Sequence, residues 1–85
     1  MKIRRSDSFK KDFKKLPENI QNKIIKQLSF LLENPRHPSL RLKKMEDPRD
    51  IWEVRVTKGY RFTFQFQGEI YYLRRAGTHD ILKTP

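Results

Sequence analysis

Between Ile51 and Phe66 the sequence reads IWEVRVTKGYRFTFQF, in which apolar and polar residues alternate with a period of two. Successive side chains of a β-strand point to opposite faces, so this alternation predicts two strands with one apolar and one polar face each. The segment TKG between them provides a turn. We therefore expect an antiparallel hairpin whose apolar face covers a core while its polar face meets water.

The polar face of this hairpin has an unusual content for a solvated sheet surface. Its positions are Glu53, Arg55, Arg61, Thr63 and Gln65. Guanidinium groups bind phosphate in a bidentate manner and keep their charge at all working pH values. Glu53 is either a second proton carrier or the salt-bridge partner of Arg55 or Arg61, and the ion pair is the favoured alternative.

The segment before the hairpin has helical periodicity. Phe9, Phe13 and Leu16 recur at helical spacing, and Pro17 both ends this helix and opens the next. Isoleucines and leucines continue the stripe as far as Asn34-Pro35, which is a stop signal. Residues 6–34 are thus predicted to form a helical hairpin.

The remaining segments complete a small α+β domain that spans residues 1–85. MKIRR is a predicted first strand, LRLKKM a short strand, and EIYYLRR a central last strand that follows a tight turn at Gln67-Gly68. The predicted order is β-αα-βββ, an antiparallel meander with the helical hairpin packed on one face. Arg74 and Arg75 are adjacent in the last strand, so we expect them on opposite faces and one of them on the polar face.

The charge of the chain is its strongest compositional signal. Twenty Lys and Arg oppose ten Asp and Glu, which gives a net charge of +10. This surplus indicates an anionic partner, and nucleic acid is favoured over a membrane because the charge is spread over helices and strands. The absence of cysteine, of a signal peptide and of a long apolar run favours a cytoplasmic protein. The two histidines lack ligand spacing, so we expect no metal and no cofactor.

His79 lies a few residues beyond the last strand, and His37 lies between two prolines. An exposed structural role in a loop is the interpretation for His37. RNA cleavage without a metal needs a group that moves protons and cations that stabilise the charge developing on phosphorus. His79 fits the first task because its ordinary pKa lies near neutral pH, and the arginines fit the second. From the residues alone, a structural role for His79 is the favoured alternative.

Four stretches carry a resemblance to a known family: SFKKDFKKLP, LLENPRHPSLRLKKM, IWEVRVTKGYRFTFQF and LRRAGTHDIL. The chain resembles the RelE/ParE superfamily of toxins from type II toxin–antitoxin systems along essentially its whole length. The segments GYR and GTHD are the most specific, and the ending is most similar to the YafQ-like branch. The resemblance implies the same β-αα-βββ fold, often with a short C-terminal helix.

The function implied by the resemblance is that of a ribosome-dependent mRNA endonuclease. It gives Arg61 the phosphate-stabilising role and His79 the acid–base role, with Arg75 and Arg55 as further functional cations. Family members commonly carry Lys or His where Glu53 stands, and some have a histidine cluster that is missing here, so weak activity is an expectation. The implied partners are an acidic antitoxin, mRNA and the ribosome. We expect nucleic-acid contacts from Lys10, Lys11, Lys14, Lys15, Arg41, Lys43, Lys58 and Arg74. For the four lysines of the first helix, a solvated helix face is the favoured alternative.

Two alternatives remain open at the level of sequence. The same fold serves ParE-like toxins that poison DNA gyrase without catalysis, and fold alone does not separate the two functions. The second alternative is a catalytically weak, basic RNA-binding homologue, and the acidic residue Glu53 is the argument for it.

Overall fold

The computed structural model describes residues 1–85, which form two helices and a five-stranded sheet. The α+β class and the helical hairpin are confirmed. In chain order the elements are β1 (Lys2–Arg5), α1 (Asp7–Lys15), α2 (Glu18–Glu33), β2 (Lys43–Lys44), β3 (Trp52–Arg55), β4 (Arg61–Gln67) and β5 (Ile70–Gly77). Two 3-10 turns, Pro38–Leu40 and His79–Lys83, precede β2 and follow β5.

The ends of the two helices follow from local chemistry. Ser6 caps α1, because its hydroxyl oxygen accepts the N–H of Phe9 at 3.0 Å. Leu16 takes an extended backbone before Pro17, as a residue preceding proline prefers, and this separates the helices. The second helix ends at Glu33, and Asn34 is already extended ahead of Pro35.

The strands are ordered β1-β5-β4-β3-β2 across the sheet. Strands β2 to β5 form the predicted antiparallel meander, and the hairpin loop after β4 contains Gly68 with a positive φ of 59°. Strand β1 lies parallel to β5, so the sheet is mixed rather than purely antiparallel. The parallel pairing is possible because the chain passes through both helices and three strands before β5 forms.

The core lies between the helices and the apolar face of the sheet. Its fully buried members include Phe9, Ile24, Phe62, Phe64 and Leu73. The predicted inward face of β4 is confirmed at Phe62 and Phe64, whereas Phe66, near the end of the strand, is 46% exposed. Phe9 meets Phe62 edge to face, with ring centroids 6.3 Å apart. These residues fix the sheet against the helices and leave its other surface for polar side chains. We call that surface the polar face.

Two buried polar side chains connect the helices to their surroundings. The amide of Gln27 donates to the carbonyl oxygens of Ser39 and Arg55 at 3.0 and 2.7 Å. The hydroxyl of Tyr71 donates to the carbonyl of Leu31 at 3.3 Å, and burial raises the pKa of this phenol. Both satisfy the rule that a buried polar group needs a partner.

A β-bulge in β5 changes the predicted directions of its two arginines. Thr63 pairs with Arg75 and Phe64 pairs with Leu73, so Arg74 is the extra residue. Alternation then resumes with Ala76 in the core. The expectation that Arg74 and Arg75 point to opposite faces is therefore wrong, because the bulge sends both to the polar face. The Thr63 hydroxyl accepts the N–H of Arg75 at 3.2 Å at this point.

The C-terminal segment, residues 78–85, covers part of the polar face, which is therefore less open than expected. Ile81 and Pro85 are buried although neither belongs to the main core. The main-chain oxygen of Pro85 accepts the Arg74 Nε–H at 2.9 Å, and the carbonyl and hydroxyl oxygens of Thr84 accept N–H groups of Arg75. Thr63 lies beneath and is fully buried.

The loop between α2 and β2 holds His37 in a structural role. Its ring stacks on Phe30 at 4.0 Å, and its Nδ1 accepts the N–H of Ser39 at 3.2 Å. The ring is half-buried rather than exposed.

Of the predicted strand LRLKKM, only Lys43 and Lys44 pair with β3, and Leu40 ends the preceding 3-10 turn. Neither helix has the length and apolar character needed to cross a membrane.

Candidate functional site

Two arginines face each other at one end of the polar face, and a histidine follows the end of the neighbouring strand. In the sheet register Arg55 lies opposite Arg61, and Arg61 lies opposite Gly77. His79 follows Gly77 by two residues and begins the terminal 3-10 turn. Strand pairing therefore brings residues from three separate segments of the chain to one corner of the molecule.

Arg61 is held mainly by its own surroundings. Its Nε lies 2.8 Å from Glu53 Oε1 in a salt bridge, and its Nη1 donates to the carbonyl oxygens of Thr57 and Tyr60 at 2.8 and 3.2 Å. The Arg61 and Glu53 side chains are 12% and 14% exposed. An arginine has N–H donors on Nε, Nη1 and Nη2. Because Nε and Nη1 are already used, only Nη2 remains free to contact a ligand.

Glu53 is a salt-bridge partner of Arg61, the favoured alternative at the level of sequence. It lies directly opposite Thr63 and Lys43 in the sheet register and diagonal to Arg61. Its charge offsets the repulsion between Arg55 and Arg61, which face each other across β3 and β4. The Arg55 side chain is half-buried and makes no polar contact with the protein. Arg55 is thus the cation at this corner with the most unused donors.

Arg75 is fixed by contacts that the sequence did not predict. Its Nε donates to Asp12 Oδ2 at 2.7 Å, and its Nη1 donates to the carbonyl and hydroxyl oxygens of Thr84. The same Asp12 oxygen accepts the N–H of Ala76 at 3.1 Å, so α1 closes the edge of β5 where β1 has ended. Asp12 is the only acidic residue among the four lysines of residues 10–15. An acid in that position was the one sequence signal for an ion pair with a cation of the sheet.

His79 is exposed and its ring makes no hydrogen bond with the protein. Asp80, which follows it, is also exposed and does not bond to the imidazole. The ring is anchored only through its backbone, by the turn in which the N–H of Ile81 donates to the carbonyl of Thr78 at 3.1 Å. It can therefore rotate to meet a ligand at this corner of the polar face.

The residues predicted to contact nucleic acid fall into two groups. Lys43, Lys58 and Arg74 lie on or beside the polar face, and exposed Arg41 has a left-handed backbone just before β2. The lysines of α1 are exposed on the helical layer instead, where two of them flank an apolar groove between the helices. The four lysines are Lys10, Lys11, Lys14 and Lys15, and Lys10 and Lys14 line the groove.

A further cation, which sequence reasoning missed, lies in the loop before β3. Arg49 forms a bidentate ion pair with Asp47, through Nε and Nη2 at 2.9 and 2.8 Å. These hydrogen bonds lower the pKa of the Asp47 carboxyl to about 2, and the hydrogen bond to Asp47 raises the pKa of Arg49. The amide of Gln65 donates to the Arg49 carbonyl, which brings the loop to the polar face.

No group of three or more His, Cys, Asp or Glu side chains is placed to hold a metal ion.

Comparison with solved structures identifies the fold. The protein matches YafQ from E. coli strain BL21(DE3) with a TM-score of 0.78, at 19% identity over 94% of both chains. A YoeB/ParE toxin from Agrobacterium tumefaciens matches with a TM-score of 0.78, at 16% identity over 93% of this chain and 99% of that one. The E. coli RelBE toxin–antitoxin complex matches with a TM-score of 0.73, at 21% identity over 91% and 94%.

Comparison with known sequences identifies the family. No curated protein matches the chain. The family described as the ParE toxin of the type II toxin–antitoxin system parDE matches residues 3–80, which is nearly the whole chain. The match includes both helices, His79 and all or most of every strand. The protein therefore belongs to the ParE toxin family, within the RelE/ParE superfamily of type II toxin–antitoxin toxins, and its fold is shared with RelE and YafQ.

Proposed function

We propose that this type II toxin is an endoribonuclease that inhibits translation by cutting mRNA, with the ribosome presenting the message. The observation that carries the proposal is the sheet register, which sets Arg55 and Arg61 side by side next to Gly77, two residues before His79. In the proposed site an exposed imidazole supplies a proton carrier, and two guanidiniums supply cations for a developing phosphorane. A toxin that acts without catalysis has no need for this combination.

The proposed reaction is an internal transesterification. The imidazole of His79 accepts the proton of a ribose 2′-hydroxyl, and the 2′-oxygen attacks the adjacent phosphorus. The bond from phosphorus to the 5′-oxygen breaks, and the imidazolium or a water returns a proton to that oxygen. The products are a 2′,3′-cyclic phosphate and a 5′-hydroxyl, with no net change in protons. No metal or cofactor takes part in the proposed reaction.

The cations have unequal roles in this mechanism. Arg55 is free to contact the phosphate, and Arg61 offers its Nη2 edge while its other donors are occupied. Arg75 orients the C-terminal segment that carries His79, because it holds Thr84 and Asp12 together. Glu53 is committed to Arg61, so we do not assign it a proton-transfer step. Its charge weakens the local positive potential, which is consistent with a slow enzyme.

The proposed partners follow from charge and from the structural relatives. A protein of +10 favours an acidic partner, and the RelBE and DinJ–YafQ relatives were solved as toxin–antitoxin complexes. We propose an acidic cognate antitoxin and a cytoplasmic site of action. The exposed lysines of α1 are proposed contacts to ribosomal RNA.

Expression in bacteria tests the assignment of His79. Growth inhibition should be relieved by His79→Ala and by Arg61→Ala, and it should persist in Asp80→Asn, an exposed neighbour with no bond to the ring. Circular dichroism of each purified variant checks that the fold is retained. Unchanged inhibition by a folded His79→Ala protein would refute its role.

A second candidate function is favoured by the family match itself. The matching family is described as the ParE toxin, and ParE-like members poison DNA gyrase. The two functions give different cellular results after induction. Arrest of protein synthesis within minutes supports the nuclease, whereas DNA damage with filamentous cells and continuing translation supports the gyrase poison.

A further inference from the structure

A cavity of about 410 Å³ lies on the polar face beside the middle of β5, and neither Arg55 nor Arg61 lines it. Four cationic side chains and no acidic side chain are among the nine residues that line it. The cations are Arg49, Arg74, Arg75 and Lys83. Two of these charges are offset by neighbouring acids, because Asp12 pairs with Arg75 and Asp47 pairs with Arg49. The side chains of Arg74 and Lys83 therefore have no acidic side chain as a partner in this concave site.

Arg74 has unused donors that the bulge directs into this cavity. Its Nε donates to the main-chain oxygen of Pro85 at 2.9 Å, and its Nη1 donates to Gln65 Oε1 at 2.7 Å. These two bonds fix the plane of the guanidinium and leave Nη2 without a partner. A guanidinium held in this way is preorganised for an oxyanion, since little side-chain entropy is lost when it binds.

Lys83 and Arg49 add adaptable donors. Lys83 is exposed and makes no ion pair, and Arg49 uses Nε and Nη2 on Asp47 but leaves Nη1 free. Tyr72 lies opposite Gln65 and supplies an aromatic ring to the lining, and Ser8 supplies a hydroxyl with no partner. Cations beside one aromatic ring are the combination with which proteins hold single-stranded nucleic acid.

We propose that this cavity is a subsite for a backbone phosphate of single-stranded RNA, with the neighbouring base against Tyr72. Arg74, Arg49 and Lys83 bind the phosphate. The row that contains Tyr72 and Gln65 is four residues along β4 from Arg61, a distance of about 13 Å at roughly 3.3 Å per residue. A strand of several nucleotides is needed to occupy both places. The subsite thus deepens the proposed function, on which its choice of RNA rests, by extending substrate recognition beyond the scissile bond.

A binding experiment with an uncleavable probe tests the subsite separately from catalysis. The probe is a short, fluorescein-labelled oligouridine with 2′-O-methyl groups, followed by anisotropy. The double variant Arg49→Gln/Lys83→Gln should lower affinity by about tenfold, and the slope of log K against log salt should fall by about 0.7 for each phosphate that is no longer neutralised. The matched variant Lys23→Gln/Arg36→Gln removes the same charge outside the cavity and should change affinity by less than about twofold. Equal losses of affinity in the two double variants would overturn the proposal.

A measurement on the unmodified protein guards against misfolding of the variants. In amide NMR spectra the same oligonucleotide should shift Ser6, Ser8, Tyr72 and Arg74. Shifts confined to other residues would overturn the subsite, and equal shifts with uridine monophosphate alone would overturn its assignment to an RNA strand. Neither result depends on His79, so failure of the nuclease proposal and failure of the subsite are distinguishable.

Discussion

The ion pair between Glu53 and Arg61 is the residue-scale feature that most affects the proposed chemistry. Both side chains are largely buried and their charged atoms lie 2.8 Å apart. An arginine bound in this way contributes to stability, but much of its capacity to bind phosphate is used inside the protein. The ion pair should therefore raise the stability of the fold and lower the activity of the site.

Replacement of the carboxylate separates the two effects. In Glu53→Gln the amide keeps the size of the side chain and removes its charge. We expect the free energy of unfolding to fall by about 2 kcal/mol, since hydrogen bonds to charged groups contribute roughly 1.5–3 kcal/mol. We expect RNA cleavage to rise by up to about tenfold, which corresponds to about 1.4 kcal/mol in the barrier.

Urea denaturation and a cleavage assay measure these two quantities, with Glu18→Gln as the control at an exposed acid. A variant that is less stable but no more active would show that the Glu53 charge does not limit catalysis.

The residue types of this site could be predicted from the sequence, but their hydrogen bonds could not. Alternation placed Arg55 and Arg61 on one face, and the structure agrees. That Arg61 turns back to the carbonyls of Thr57 and Tyr60 depends on the turn between the strands. Asp12 reaches Arg75 across 63 positions, and no local pattern encodes such a contact.

At the scale of elements, the C-terminal segment and β5 act as one unit. Gly77 ends β5, and a Cβ added there would lie 2.9 Å from Ile81 Cγ2. This close approach lets the terminal turn fold back over the sheet and sets the position of His79. A period-two pattern predicts a strand but contains no information about a bulge or a returning tail, which is why the structure of β5 and of the polar face differed from expectation.

Substitution of this glycine should displace the turn. Gly77→Ala forces Ile81 away from the sheet, and overpacking of this kind costs about 1–3 kcal/mol. Ile81→Ala removes the clashing methyl, so the double variant should lose less stability than the sum of the single losses. Urea unfolding of the four proteins of this cycle gives the coupling energy. Strict additivity would mean that the two residues do not constrain each other.

At the scale of the molecule, the layers separate two kinds of positive surface. Apart from Arg55, the arginines of the polar face are fixed by hydrogen bonds, whereas α1 carries lysines that are exposed and unpaired. The layered fold could be predicted from the sequence, because the apolar residues change from strand to helical spacing and back to strand spacing along the chain. The parallel pairing of β1 with β5 did not, because strands at opposite ends of a chain leave no turn signal between them.

The lysines of α1 should act on ribosome binding rather than on chemistry. Lys11→Gln/Lys15→Gln is expected to weaken co-sedimentation with ribosomes several-fold, because phosphate contacts depend on local charge. Lys23→Gln/Lys26→Gln on α2 removes the same net charge and is the matched control. Equal weakening by both pairs would indicate attraction by overall charge without a defined α1 contact.

Mapping of mRNA ends after induction tests the central proposal most directly. Primer extension on cells that express the wild-type toxin should reveal new, discrete 5′ ends, which carry hydroxyl rather than phosphate groups. The same ends should be absent with a folded His79→Ala protein expressed at the same level. Identical ends in both strains would remove His79 from the reaction, and growth arrest by the wild type without any new ends would contradict the nuclease itself.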